Sequence, residues 1–252
     1  MKLIHDTWLL YARSMMLTLR NPVWVFIGLM QPVLYLVLFA PLLGPITKAP
    51  GFPPGGALDI FVPGLLVQLA MFALFSGFSL IAELRAGVIE RMRVTPISRI
   101  AMLLGRSLRD VTILLVQASL IIVFALPFGM FITPTGFVFV LVLLAMLGII
   151  MATFSYSVAL AVRSEDALAP IVNAVFLPVL LLSGILLPMS LAPTWLQWVA
   201  SFNPLSHSVD AMRLLFKGDI VNWTVAFGMG LTAVIALISL GFAARAFGRS
   251  QA

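Results

Sequence analysis

FVFVLVLLAMLGIIMATFSYSVALAV, residues 137–162, is a run of 26 residues without a single charge or proline. About 20 apolar residues carry an α-helix across the roughly 30 Å hydrocarbon core of a bilayer. No water is available there to satisfy backbone amides, so a crossing segment must bond to itself, as a helix does. Working outward, five more segments qualify: Val23–Leu43, Ile60–Ala82, Val111–Phe131, Leu168–Met189 and Trp223–Ala244. The expected fold is an all-α polytopic membrane protein, with six transmembrane helices in one domain over residues 1–252.

Composition agrees. The chain is 62% hydrophobic and 10% charged, with a mean hydropathy of +1.15, whereas globular chains are about half apolar and about a quarter charged. A soluble protein this apolar would expose aggregating patches. The sequence has no cysteine, which excludes disulfide frameworks, thiolate metal sites and cysteine nucleophiles. A net charge of +6 raises nucleic acid as a partner, but the placement of the charge argues for lipid instead. Twelve of the fifteen Lys and Arg fall on one side of the six-span topology, leaving Lys48, Arg213 and Lys217 on the other. The basic side faces the cytoplasm, so both termini are expected inside, in a cell (plasma or inner) membrane.

The N-terminal segment, residues 1–21, reads as an interfacial helix. Ile4, Trp8, Tyr11, Met15 and Leu19 share one narrow arc, with Lys2, Asp6, Arg13 and Arg20 on the other side of the wheel. Such a helix lies at the headgroup boundary, and Asn21-Pro22 separates it from the first span. Asp6, Arg13 and Arg20 also interrupt any signal-peptide core. The stretch GPITKAPGFPPGG, residues 44–56, breaks a helix and forms the first outside loop.

The spans hold almost no ionisable residue. Ion-coupled carriers usually place a carboxylate, His or Arg within the membrane, so a secondary transporter is disfavoured and an apolar or amphiphilic cargo fits better. The polar residues within spans are amides and hydroxyls, including Gln117 and Ser183. Gln31, Gln68 and Asn173 are the candidates for a substrate path, set against the simpler reading that such groups hydrogen-bond one helix to another. Pro32 and Pro178 could kink helices that move.

Function is concentrated in ELRAGVIERMRVTPISRIAMLLGRSLRD, residues 83–110, with six arginines and three acids. Glu83–Ala86 continues the second span into water, Gly87 breaks it, Val88–Val94 forms a short charged helix with Glu90 and Arg91 exposed, and Thr95-Pro96 ends it. A short rigid helix beyond the membrane is what docking to a soluble partner needs; the plainer reading is a solvated positive-inside loop.

This loop resembles the cytoplasmic loop of the type-2 ABC transporter permeases, in the drug-resistance (daunorubicin-type) branch. Glu83, Gly87, Glu90, Thr95, Pro96 and Arg99 occupy the family's positions, while Arg85 stands where an acid is frequent and Val88 where Thr is frequent. Phe61-Val62-Pro63-Gly64-Leu65 is similar to the family's start of the second span. Leu182–Asp219 is similar to its extracytoplasmic signature, through Gly184, Pro188, Pro193, Trp195, Leu196, Asn203, Pro204, Asp210, Arg213 and Gly218. The resemblance implies a coupling loop at 83–110 that docks a separate P-loop ATPase, present in two copies, through Glu83, Arg85, Gly87, Glu90, Arg91, Arg93, Thr95, Pro96 and Arg99. It implies a re-entrant segment at 190–222 forming an outer gate with Gly184, Pro188, Trp195, Asn203, Pro204, Asp210 and Arg213. It also implies pairing of two permeases, as a homodimer or a close heterodimer, in efflux and antibiotic resistance. ATP and Mg would be bound by the partner, with no cofactor in this chain.

What is missing in the sequence fits. No G-x-x-x-x-G-K-[ST], H-E-x-x-H, G-x-S-x-G or metal-ligand cluster occurs, so neither a catalytic residue nor a metal site is expected and the energy comes from another polypeptide. Alternatives are a membrane-bound enzyme, for which Ser206, His207 and Asp210 are near in sequence but lack an oxyanion arrangement, and a non-transporting assembly subunit.

Overall fold

The computed structural model describes residues 2–21, 23–46, 56–87, 98–185 and 189–249. Among them the chain is helical, with no strand. The helices are α1 (Lys2–Arg20), α2 (Val23–Ile46), α3 (Ala57–Met71), α4 (Gly77–Arg85), α5 (Arg99–Ala125), α6 (Pro134–Val162), α7 (Glu165–Leu181), α8 (Thr194–Ser201), α9 (Pro204–Phe216) and α10 (Trp223–Arg249). Four stretches of the described chain are long and apolar enough to cross a membrane: Leu58–Arg85, Ile100–Phe128, Pro134–Val162 and Trp223–Phe247.

Helix starts follow local chemistry. Asp59, the acid at the edge of a predicted span, accepts the Gly56 N–H at 2.9 Å and so caps α3. Thr133 accepts the Gly136 N–H at 3.1 Å ahead of α6, and Asn203 accepts the Leu205 N–H at 3.1 Å ahead of α9. Pro134 and Pro204 take the first helical positions, where a missing N–H costs nothing.

At the centre is α3, whose run from Ile60 to Met71 is buried on every side, as a helix apolar all round should be. It packs on α6, which also lies against α5 and, most extensively, α10. By contrast α2 keeps Phe26, Met30, Leu34 and Leu38 exposed at four-residue spacing, a stripe turned away from the bundle.

The differences from the sequence reading are local. The second span is not continuous: a 3-10 turn, Phe72–Phe75, separates α3 from α4. Ser155 of α6, fully buried, mends the break by donating to the Leu74 carbonyl and accepting the Gly77 N–H at 2.9 Å. The third span starts a dozen residues early, at Arg99, so residues 99–110 are helix where a loop was expected. The first span runs to Ile46, past Gly44-Pro45, and the fifth, α7, stops at Leu181 after 17 residues, about 26 Å of rise. The break at Asn21-Pro22 falls as expected, between α1 and α2.

Candidate functional site

Polar chemistry gathers at two ends of the bundle. At the basic end, α4 stops at Arg85 and Gly87 turns left-handed, at φ +65°, a conformation glycine adopts freely. Glu83 forms an ion pair with Arg106 of α5, whose side chain is only 7% exposed. Arg85 reaches Glu165 at the start of α7, 3.3 Å away and near solvent. One turn along α5, Arg109 holds Asp110 through two bonds of 2.9 and 2.6 Å. The buried Tyr156 of α6 donates its hydroxyl hydrogen to the other oxygen of Asp110. Buried charges persist only when paired and hydrogen-bonded in this way.

α1 lies across the first turns of α5. Its Leu10 clusters with Ala101 and Met102, and the crossing is so close that a Cβ on Gly105 would sit 2.8 Å from Leu10 Cβ and 3.1 Å from the Thr7 carbonyl oxygen. The exposed face carries Ile4, Trp8 and Leu19, members of the predicted apolar arc. Asp6 departs from the expected outward face: it is buried and faces the Ser98 N–H at 3.5 Å, at the positive end of the α5 dipole.

Of the predicted coupling residues, Glu83 is tied to α5 and Arg85 to α7, Gly87 turns the chain just beyond α4, and Arg99 opens α5. Glu90, Arg91, Arg93, Thr95 and Pro96, with the expected helix Val88–Val94, lie outside the described residues.

Next to this network is an open cavity of about 480 Å³. Glu83, Arg109 and Asp110 form its polar floor, Leu69, Phe72 and Leu114 its apolar wall, and Ser76, Ser79 and Gln117 add hydroxyls and an amide. The predicted path residues do not line it. Gln68 is buried in α3 with its Oε1 unpartnered among the described residues; Asn173 is exposed and its amide donates to the Ala169 carbonyl at 2.9 Å; Gln31 is half-buried on α2. The cavity-lining Asp110 and the buried Arg106 and Tyr156 were not among the residues predicted. A Tyr within a span and an adjacent Arg-Asp pair were the only hints.

The opposite end is tied by Arg213. Its guanidinium donates to the Gly184 carbonyl at 2.7 Å, to the Ile60 carbonyl at 3.4 Å and to Asp210 at 3.3 Å. Burial lowers its pKa from the ordinary value and Asp210 opposes that shift. Gly64 packs so tightly on the same turn that a Cβ would lie 2.3 Å from the Ile185 carbonyl oxygen, which accounts for the glycine of the Pro-Gly pair in α3. Asn203 binds the Val179 carbonyl at 3.0 Å. Gly184, Asn203, Pro204, Asp210 and Arg213 therefore converge on the junction of α3, α7 and α9. Trp195 does not: it is 66% exposed on α8, with Trp198 and Phe202, as an interfacial belt requires. Pro188 lies outside the described residues. Ser206 donates to the carbonyls of Ala200 and Asn203 and the His207 ring contacts the Ser201 carbonyl at 3.0 Å, a local backbone role for both.

A bundle of membrane-length helices with an amphipathic helix packed across the start of α5 defines a polytopic α-helical membrane protein. The chain belongs to the ABC-2 type transporter family, whose model matches residues 5–216. It is a type-2 ABC permease, and in this family the ATPase is a separate subunit, which implies an ATP-binding partner. It is 30% identical over 238 residues to the daunorubicin resistance ABC transporter permease protein DrrB1 of Streptomyces coeruleorubidus, covering 90% of this chain and 82% of that one. It is 29% identical over 226 residues to a protein of Cyanophora paradoxa named as transport permease ycf38, covering 85% of this chain and 75% of that one. A more distant relative, ABC transporter G family member 20 of Dictyostelium discoideum, is 25% identical over 195 residues, 75% of this chain and 27% of its own length.

Proposed function

We propose that this permease exports a hydrophobic or amphipathic compound, such as a drug, a lipid or a lipid-linked saccharide. Two copies of a separate P-loop subunit bind ATP and Mg, and two permeases, identical or closely related, form the membrane unit. Both termini lie in the cytoplasm of a cell carrying the protein in its plasma or inner membrane, the side holding twelve of the fifteen Lys and Arg. The name of the DrrB1 relative favours a drug, and the cavity's charged floor and apolar wall suit an amphipathic molecule.

The observation that carries this reading is the clamp around residues 88–97. On its N-terminal side α4 ends just after the Glu83–Arg106 pair, and on its C-terminal side α5 begins under α1. A partner pushing on it moves α4, α5 and α1 together, and a rigid-body shift of that kind changes access to a path between helices. Glu90 and Arg91 supply the specific contact, and the junction of Gly184, Asn203 and Arg213 closes the outer end.

The test is purification of the tagged chain from native membranes in mild detergent, followed by ATP-driven export in vesicles. A P-loop ATPase accompanies the wild type and is lost with Glu90→Lys. A chain that emerges without any nucleotide-binding protein, even after cross-linking, overturns the proposal.

A further inference from the structure

At the basic end, between the last turns of α6 and α10, lies a second groove of about 540 Å³. Arg163 and Arg245 line it together with Ser157, Leu160 and Phe242, and no carboxylate is among its described lining residues. Below Phe242, Ile238 and Val234 are exposed at four-residue spacing on the same helix. They form an apolar track running from the arginines toward the middle of the span. Charge above and a hydrocarbon track below match one kind of molecule.

We infer that this groove holds an anionic phospholipid, its phosphate between Arg163 and Arg245 and an acyl chain along Phe242, Ile238 and Val234. Guanidinium groups are suited to phosphate oxygens because their N–H groups form a planar fork, and basic pockets between helices at a membrane's inner end recognise such headgroups. The backbone supports a purpose for Arg163. It caps α6 at φ +52°, as the only non-glycine residue in the left-handed region among the described residues, where glycine is the usual occupant. A cation near a helix C-terminus is favourable in itself, but that does not account for a second arginine across the groove or for the apolar track. The inference rests on the membrane topology and not on transport or the ATPase.

Native mass spectrometry of the full chain tests it, after reconstitution in phosphatidylcholine containing a minority of phosphatidylglycerol and extraction in mild detergent. The wild type retains phosphatidylglycerol preferentially. With about a fivefold contribution from each basic residue, Arg163→Gly/Arg245→Gln retains it about twenty-five-fold less tightly. Arg163→Gly relieves the left-handed backbone, so loss of lipid with unchanged thermal stability separates binding from folding. Wild-type retention by the double variant overturns the inference. So does release of the lipid by inorganic phosphate alone, which would make this a general anion site. Neither readout depends on export, so failure here leaves the exporter proposal standing.

Discussion

Gly105→Ala sets two effects of similar size against each other. Within α5, alanine in place of an interior glycine favours the helix by about 1 kcal/mol. At the crossing with α1, the new Cβ meets Leu10 Cβ at 2.8 Å, the Thr7 carbonyl oxygen at 3.1 Å and the Tyr11 nitrogen at 3.1 Å. Carbon atoms rest about 3.5–4.0 Å apart, so α1 must lift by most of an ångström, and two of its contacts are backbone that cannot rotate away. Overpacking of this kind costs about 1–3 kcal/mol. Little holds α1 in return: its buried residues are Asp6, Thr7 and Leu10, and burial of a leucine contributes about 1.5–3 kcal/mol. The helix gain therefore stays with α5 while the packing loss falls on α1. Hydrogen exchange in lipid nanodiscs should show α1 amides exchanging about tenfold faster, for about 1.4 kcal/mol of lost docking, with α3 and α6 unchanged. Gly230→Ala is the control, because its Cβ would meet nothing within 4 Å. Unchanged protection of α1, or equal loosening of every helix, refutes the argument.

Two further predictions probe the interior and the outer end. Ser155→Ala leaves the Leu74 carbonyl and the Gly77 N–H without their partner, and should lower the unfolding free energy by about 1–2 kcal/mol, measured by steric trapping in bicelles; an unchanged value means that the break is satisfied some other way. Arg213→Met removes the donor to the Gly184 and Ile60 carbonyls, bonds from a charged group worth about 1.5–3 kcal/mol. A cysteine at the buried position Ser183, unique in this cysteine-free chain, should then label about tenfold faster with an impermeant maleimide, and an unchanged rate removes Arg213 from the closure.

The spans were legible because hydropathy over about 20 residues outweighs local detail, and the helix starts because Asp59, Thr133 and Asn203 act on residues two or three positions away. What was not legible depends on distant partners. Nothing in Phe72-Ala73-Leu74-Phe75 announces a break; the hydroxyl that makes it tolerable belongs to Ser155, 81 residues from Leu74. Asp6 looked like a solvated residue by its place on the wheel, and only the start of α5 explains its burial. The amides at Gln31, Gln68 and Asn173 looked like a path because sequence shows polarity without direction, while the cavity took Gln117, Ser76 and Ser79 instead.

The largest difference is also the one with the most mechanical consequence. Arg106, Arg109 and Asp110 looked like loop because charge ends an apolar run, yet all three are paired: Arg106 across helices to Glu83, Arg109 to its neighbour Asp110, and Asp110 across helices to Tyr156. Pairing lets α5 begin at Arg99, which adds about 18 Å of helix before the apolar span at Val111. Over that added length α5 carries α1 on one side and Glu83 of α4 on another. A loop there would absorb a push from a partner by bending. A clamped helix cannot, so in the exporter reading a displacement at residues 88–97 must pass through Arg106 and Asp110 into α4 and α6, which border the cavity and the core.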